Sequence, residues 1–323
     1  MAKKGYTRKR ISQYAGKLIA GRFGGARITK IKMLGYGSFG TVYRIDIDKE
    51  PCSVALKVFK LKGQYVDEVA ALDKLRPFSS IAMPTVYLTQ VASDEFPNDV
   101  ILMQMMPGRN VFLGYLLRRV PKTKRDLFAM ETIRCLEGIH SQKSPSFGPF
   151  KNPQYSSWME YYQPKASKIR IEIMKKYEEG KVKKDLVVLM ERAWSHFDEI
   201  FSEPVKEASL IHGDFNVYKI LVDPKTFRPT ALIDPLNTMY ADKEFELHQL
   251  RNMTGDRYNL YELYKRKAGC SKKCDLKSAF YSLYHELDCF LEAGDFFGFV
   301  LRKVVKDMKK ELWELEEGNK YSY

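Results

Sequence analysis

From Ala26 to Phe59 apolar and polar positions alternate with a period close to two. The segments RITKIKML, TVYRIDI and SVALKVFK read as three strands joined by short connections. Over 64–75, QYVDEVAALDKL, apolar residues recur every three to four positions and predict a helix. TVYLTQV and DVILMQMM return to strand character, and Pro107-Gly108 ends the β-rich region. Helical spacing then dominates, over Asn110–Arg119, Lys124–His140 and from about Trp158 to Ser202, with breaks at Pro164 and Gly180. Between them, residues 142–157 form a Pro/Ser/Gly-rich loop of a length that often carries function. A short β segment at Ser209–Ile233 precedes two more helical stretches, LKSAFYSLYHELDCFLEAG and FVLRKVVKDMKKELWELEE. No internal repeat is visible. Five strands with one helix, followed by a mainly helical part with a small β insert, predict an α+β, two-lobed plan. Its parts are an arm over 1–24 with one helical turn near Tyr14–Ile19, an N-lobe over 25–106 and a helical C-lobe over 107–323.

Composition changes little in that picture; charge changes more. With 45% hydrophobic and 29% charged residues the chain is too apolar for disorder, and no apolar run reaches the ~20 residues that span a bilayer. The basic start, MAKKGYTRKR, is followed by no apolar stretch of the secretory kind, and five scattered cysteines make no disulfide scaffold, so a cytoplasmic protein with reduced thiols is expected. Of the 54 basic residues, eleven precede Asp46, the first acidic residue; the remainder carries 43 basic against 40 acidic. The net charge of +14 therefore sits mostly on the arm and first strand. Such an arm suits an anionic partner, whether nucleic acid, membrane or acidic protein, or simply a solvated tail.

Four motifs carry chemistry. Gly35-Tyr36-Gly37-Ser38-Phe39-Gly40-Thr41-Val42 is a G-x-G-x-x-G with a strand on each side, not the strand-then-helix that a dinucleotide fold requires. Strand, glycine loop, strand matches a flap over ATP phosphates, or a plain hairpin. Val54-Ala55-Leu56-Lys57 places an ammonium on a strand apolar on both sides, where it needs anions. At 100° per residue Glu68 falls within about 60° of Tyr65, Leu72 and Leu75, on the apolar stripe of its helix, while Asp67 lies with Lys74 on the wet side. Glu68 then pairs with Lys57 and turns it toward phosphate, unless the lysine snorkels to the surface. The third and fourth motifs, Leu210-Ile211-His212-Gly213-Asp214-Phe215-Asn216 and Ala231-Leu232-Ile233-Asp234-Pro235, each end an apolar run with an aspartate. One carboxylate can accept a hydroxyl proton while the other holds Mg²⁺, though turn or cap aspartates look the same in isolation.

His212-Gly213-Asp214 and Ile233-Asp234-Pro235 resemble the aminoglycoside phosphotransferase superfamily of small-molecule kinases. Tyr240, Glu244-Phe245-Glu246-Leu247 and the stretch from Phe147 to Tyr162 with Trp158 are similar to its fructosamine (ketosamine) kinase branch. The resemblance runs from Ala26 to the C-terminal helices. It implies a protein-kinase-like fold, ATP and Mg²⁺ as cofactors, Asp214 as catalytic base and Asp234 as metal ligand. It further implies Lys57 and Glu68 as the phosphate-orienting pair and Gln104 to Met106 as the adenine hinge. His-Arg-Asp, Asp-Phe-Gly and Ala-Pro-Glu, the marks of a protein kinase, are absent from the sequence.

Two positions depart from the superfamily pattern. Lys219 stands where an asparagine, a second metal ligand, is expected, and a protonated lysine has no lone pair to offer. Its ammonium takes the place of one metal, or Asn216 substitutes as ligand. Asn216 itself stands where the ketosamine branch usually has tryptophan. The leading expectation is an ATP-dependent phosphotransferase acting on a hydroxyl of a sugar, amino sugar or ketosamine-like molecule. A nucleotide-binding pseudokinase disabled by Lys219, and a kinase guided to a macromolecule by the basic arm, are the alternatives. Cys270 and Cys274 lack a second Cys/His pair at zinc-finger spacing, and His140, His196, His248 and His285 are expected to be structural. Trp158, Tyr161 and Tyr162 are either a substrate-stacking set or a buried stripe.

Overall fold

The computed structural model describes residues 8–37, 39–111, 119–296 and 298–320. An antiparallel five-stranded sheet forms the N-lobe: β1 (Ile28–Tyr36), β2 (Gly40–Ile47), β3 (Ser53–Phe59), β4 (Val86–Gln90) and β5 (Val100–Gln104), in the order β1-β2-β3-β5-β4. The central strand β3 is buried along nearly all its length, as its unbroken Val/Ala/Leu run requires.

The first helix, α1 (Arg8–Arg22), is where the expectation of an arm with one helical turn is corrected. Ile11, Ala15 and Ile19 recur at helical spacing and are fully buried against the sheet, with Tyr14 stacked on Phe96 at 4.0 Å. Its basic face obscures this stripe in the sequence, and part of that face binds the lobe: Lys17 pairs with Glu95, and Arg22 donates to the Tyr87 carbonyl. The helix α2 (Gln64–Leu75) lies where its periodicity placed it, with Glu68, Ala71, Leu72 and Leu75 inward.

The C-lobe is mainly helical: α3 (Lys122–His140), α4 (Trp158–Glu178), α5 (Lys184–Ser195), α6 (Phe197–Ile200), α7 (Lys243–Arg251), α8 (Leu260–Ala268), α9 (Cys274–Ala293) and α10 (Gly298–Lys320). Of the helix expected over Asn110–Arg119, Asn110 instead ends the short strand β6 (Arg109–Asn110), and residues 112–118 lie outside the described residues. Pro164 does not break α4. The proline removes one ladder bond, and the inward stripe Trp158, Tyr162, Ala166, Ile169 and Ile173 holds the helix together across it. Trp158 and Tyr162 are thus core residues; they stack at 5.3 Å, and Trp158 Nε1–H donates to the Tyr281 hydroxyl.

Small sheets position the chemistry. The expected loop at 142–157 contains β7 (Lys143–Ser144) and β8 (Gly148–Pro149), the edges of a four-stranded sheet whose middle strands are β9 (Ala208–Ile211) and β12 (Met239–Ala241). The hairpin β10 (Ile220–Val222) and β11 (Pro229–Leu232) pairs with β6. No helix among the described residues is long and apolar enough to cross a membrane.

Candidate active site

The fully buried strand β9 delivers His212, Gly213 and Asp214 at its C-terminal end. Gly213 has φ +86°, and a Cβ there would collide with the Leu236 carbonyl, so only glycine fits. The turn is clamped from below by Glu246 on α7. Its carboxylate accepts the backbone N–H of His212 at 3.0 Å and of Gly213 at 2.5 Å. It also accepts Nε2–H of His140 at 3.1 Å, whose Nδ1 meets the Tyr264 hydroxyl at 2.6 Å. Sequence reading missed this clamp; the signal was an acidic residue inside an otherwise buried helix, in the stretch Glu244–Leu247.

Asp234 leaves β11 in the left-handed region, φ +59°. Lys57 donates to Glu68 at 2.5 Å and to Asp234; Lys219 donates to Asp234 and pairs with Asp214 at 3.0 Å. The result is an unbroken line of alternating charge, Glu68–Lys57–Asp234–Lys219–Asp214, crossing from one lobe to the other. Lys57 and Glu68 are buried; the Asp234 side chain is 36% exposed. Burial opposes charge on every member, and the pairing decides the outcome. Burial pushes Asp214 up to about 6, against the pull of Lys219. Asp234 has two ammoniums against it, and these outweigh its burial and hold it well below the usual carboxylate range. For Lys57 and Lys219, carboxylate charge overcomes burial and raises both. Glu68 is raised, chiefly by burial, against the charge of Lys57.

Asn216 caps the turn after the aspartate. Its oxygen accepts the Tyr218 N–H at 2.9 Å, and its amide donates to Asp214 at 2.6 Å. The amide also reaches Gln249 Oε1 at 3.4 Å, and Gln249 Nε2 reaches His285 Nε2 at 3.3 Å. A polar chain therefore runs from Asp214 to α9, which the sequence did not announce.

Of the glycine flap, Gly37 N–H closes on the Gly40 carbonyl at 2.9 Å, Gly35 pairs with Val42, and Val42 pairs with Lys57 across β2 and β3. A Cβ on Gly40 would strike the Val58 carbonyl. Ser38 lies outside the described residues. At the hinge, the Gln104 N–H is taken by the Thr85 carbonyl at 2.8 Å, and Met106 is buried just past the end of β5. Elsewhere, Glu244 joins Cys270 and Cys274 with donor atoms within 4.8 Å of one another, but Lys277 already sits 2.8 Å from that carboxylate. His140 is a structural tie, as described, whereas His248 and His285 line a second cleft in the C-lobe.

Donor chemistry tests the fit of the implied groups. A buried ammonium aimed between two carboxylates under a glycine flap suits a nucleotide triphosphate, and the hard oxygens of Asp234 suit one Mg²⁺. A second ion does not fit, because the Lys219 ammonium stands between Asp214 and Asp234.

A family model described as fructosamine kinase matches residues 11–311. A curated relative, the uncharacterized protein YcbJ of Escherichia coli strain K12, is 21% identical over 252 residues, covering 78% of this chain and 83% of its own. Among solved structures, a thermostable mutant of aminoglycoside phosphotransferase APH(4)-Ia is 18% identical with TM-score 0.64, covering 93% of this chain and 98% of its own. A candidate fructosamine-3-kinase from Haemophilus somnus 129PT is 15% identical with TM-score 0.63, covering 91% and 96%. The ADP-bound aminoglycoside phosphotransferase APH(2'')-Ib is 16% identical with TM-score 0.61, covering 95% and 97%. These likenesses establish a kinase-like fold.

Proposed function

Since the chain belongs to the fructosamine kinase family and is a small-molecule phosphotransferase, we propose that it uses MgATP to phosphorylate a hydroxyl of a sugar, amino sugar or ketosamine-like acceptor. The observation that carries this reading is the charge line Glu68–Lys57–Asp234–Lys219–Asp214, which joins the buried Lys57 of β3 to a carboxylate suited to proton transfer.

Asp214 accepts the proton of the acceptor hydroxyl. Its value of about 6 leaves it ionised at neutral pH yet basic enough to share a proton as the phosphoryl group arrives. Glu246 fixes the backbone that carries it, so the carboxylate needs no reorganisation during the step. Lys57, turned by Glu68, donates to phosphate oxygens where negative charge collects, and the Gly35–Gly40 flap excludes water above them. Adenine lies at the hinge near Met106. Asp234 would hold magnesium, which would supply positive charge to offset the charge of the phosphates. Asn216 is the candidate for a further oxygen, although its first role here is to hold Asp214 and Tyr218. Lys219 supplies a fixed positive charge between the two aspartates where its superfamily resemblance places a second metal ligand.

The test is an ADP-release assay over sugars, ketosamines and aminoglycosides, with Asp214→Ala as blank. At least one acceptor is expected to raise ADP release above the rate without acceptor, and the variant to lose that increment while binding ATP within a few-fold of wild type. An Asp214→Ala protein that keeps most of its turnover would remove the assignment of the base.

A further inference from the structure

The loop between α8 and α9 is fastened to the start of α7. Lys243 Nζ donates to the Ala268 and Gly269 carbonyls at 3.0 and 2.9 Å. Glu244 Oε1 accepts the Ser271 N–H at 2.5 Å, and its Oε2 accepts the Ser271 hydroxyl at 2.7 Å. Cys270 and Cys274 lie on either side of that serine, and Cys274 opens α9, whose positive end favours a thiolate. One donor atom from each of Glu244, Cys270 and Cys274 lies within 4.8 Å of the other two, the one such group among the described residues. Cys274 is raised first by its hydrogen bond with Cys270 and then by burial, so its proton stays in place until a metal displaces it. The charges beneath are uneven. Asp242 and Glu244, each 3% exposed, share a single ammonium, Lys277, at 2.5 and 2.8 Å. Burial raises the Glu244 carboxyl, but the Lys277 charge and the Ser271 donors outweigh it and hold it below its ordinary value, as a carboxylate.

We propose that Cys270, Cys274 and Glu244 form a site for a zinc-class divalent metal that ties the α8–α9 loop to α7. Oε2 of Glu244 already takes two donors and Oε1 only one, so Oε1 keeps a lone pair for the ion. Lys277 stays on Oε2 and Asp242 as the outer partner that fixes the ligand. On binding, two M–S bonds form and the two thiol protons leave to water, so the net charge of the cluster does not change. A monovalent soft ion would add one negative charge beside a carboxylate that already lacks a full counter-charge. Magnesium and calcium take oxygen ligands, and thiolates select against them. With Zn–S bonds of ~2.3 Å at a tetrahedral angle, two sulfurs stand about 3.8 Å apart, so the loop draws in by about 1 Å. Gly269, at the exposed edge of the loop, leaves room for water in the fourth position. Glu244 lies two residues before Glu246, so the ion braces the helix that grips the His212–Asp214 turn and touches no reacting group. The site stands whether or not the protein transfers phosphate.

Co²⁺ is the probe, added to reduced, EDTA-stripped full-length protein without nucleotide. It is expected to give a sulfur-to-cobalt charge-transfer band and tetrahedral d–d bands, which Zn²⁺ displaces and Mg²⁺ at equal concentration does not. Cys270→Ser and Glu244→Gln should each weaken Co²⁺ by roughly tenfold or more. Cys52→Ser, at an exposed cysteine outside the cluster, should titrate as wild type does. Zn²⁺ should raise the melting temperature of wild type and leave that of Cys270→Ser unchanged. No band in wild type, an unchanged titration in Cys270→Ser or Glu244→Gln, or loss of the band in Cys52→Ser would overturn the site. The wild-type titration decides the matter even if a cluster variant fails to fold.

Discussion

Replacing Lys219 by asparagine removes the ammonium that joins Asp214 to Asp234 and puts a neutral oxygen ligand in its place. At the 3.0 Å of the Lys219–Asp214 pair, two unit charges in an effective dielectric of 20 attract by about 5 kcal/mol before desolvation. Taking away one partner of a buried pair costs about 3–5 kcal/mol. The metal-free Lys219→Asn protein should therefore melt roughly 6–15 °C below wild type. The same ammonium repels a divalent ion ~4 Å away by about 8 kcal/mol at that dielectric. Even a quarter of this, after the charges of Asp214 and Asp234 offset the rest, is more than tenfold in affinity. Magnesium without nucleotide should thus restore part of the lost stability in Lys219→Asn and do almost nothing for wild type. Melting curves over a magnesium titration measure both effects, and initial rates of ADP release over the same titration show whether turnover changes. A variant that melts with wild type and responds to magnesium as wild type does would show that Lys219 is not part of the metal site.

Three further outcomes are expected. Glu286 has its carboxyl raised from 4.5 to about 7, so ionisation destabilises the folded state above pH 4.5, with the full effect of about 3 kcal/mol reached above pH 7. Glu286→Gln should match wild type in denaturant melts near pH 4.5 and exceed it progressively up to pH 8; a constant difference would refute the assignment. Glu246→Gln sets an amide N–H against one of two backbone N–H donors, costing about 2–4 kcal/mol, and should cut kcat/KM for the acceptor far more than it weakens ATP binding in a fluorescence titration. Ile19→Ala, at a fully buried position in α1, should lose about 2–5 kcal/mol by urea unfolding, whereas a loosely held arm would lose nothing.

Local pattern made much of this fold legible. The strands of the N-lobe were legible as short alternating or continuous apolar runs, and Lys57 and Glu68 could be paired because a buried-strand ammonium and a core-facing carboxylate each need the other. Asp214 and Asp234 were legible as ends of apolar runs. What stayed hidden depends on distant partners. The stripe of α1 is short and surrounded by basic residues, so it becomes a helix face only when the sheet covers it. Pro164 argues for a break by local rule, and packing of Tyr162 and Ala166 overrides it. Lys219 could be flagged as unusual, but its two bonds to Asp214 and Asp234 required the β10–β11 hairpin to be closed. His248 and Glu286 are ordinary helix residues in sequence; the cleft they line forms only when α7, α9 and α10 pack together.

The helix α7 carries Glu246, which grips the catalytic turn, and within three residues His248 and Gln249, which face the second cleft and the chain to Asp214. The His212–Asp214 turn and one wall of the second cleft are thereby mounted on the same nine-residue helix. A substitution that tilts it to repack the cleft also shifts that turn. Changes made to the cleft from α7 should therefore register at Asp214, whereas substitutions in α9 or α10 reshape the cleft more freely.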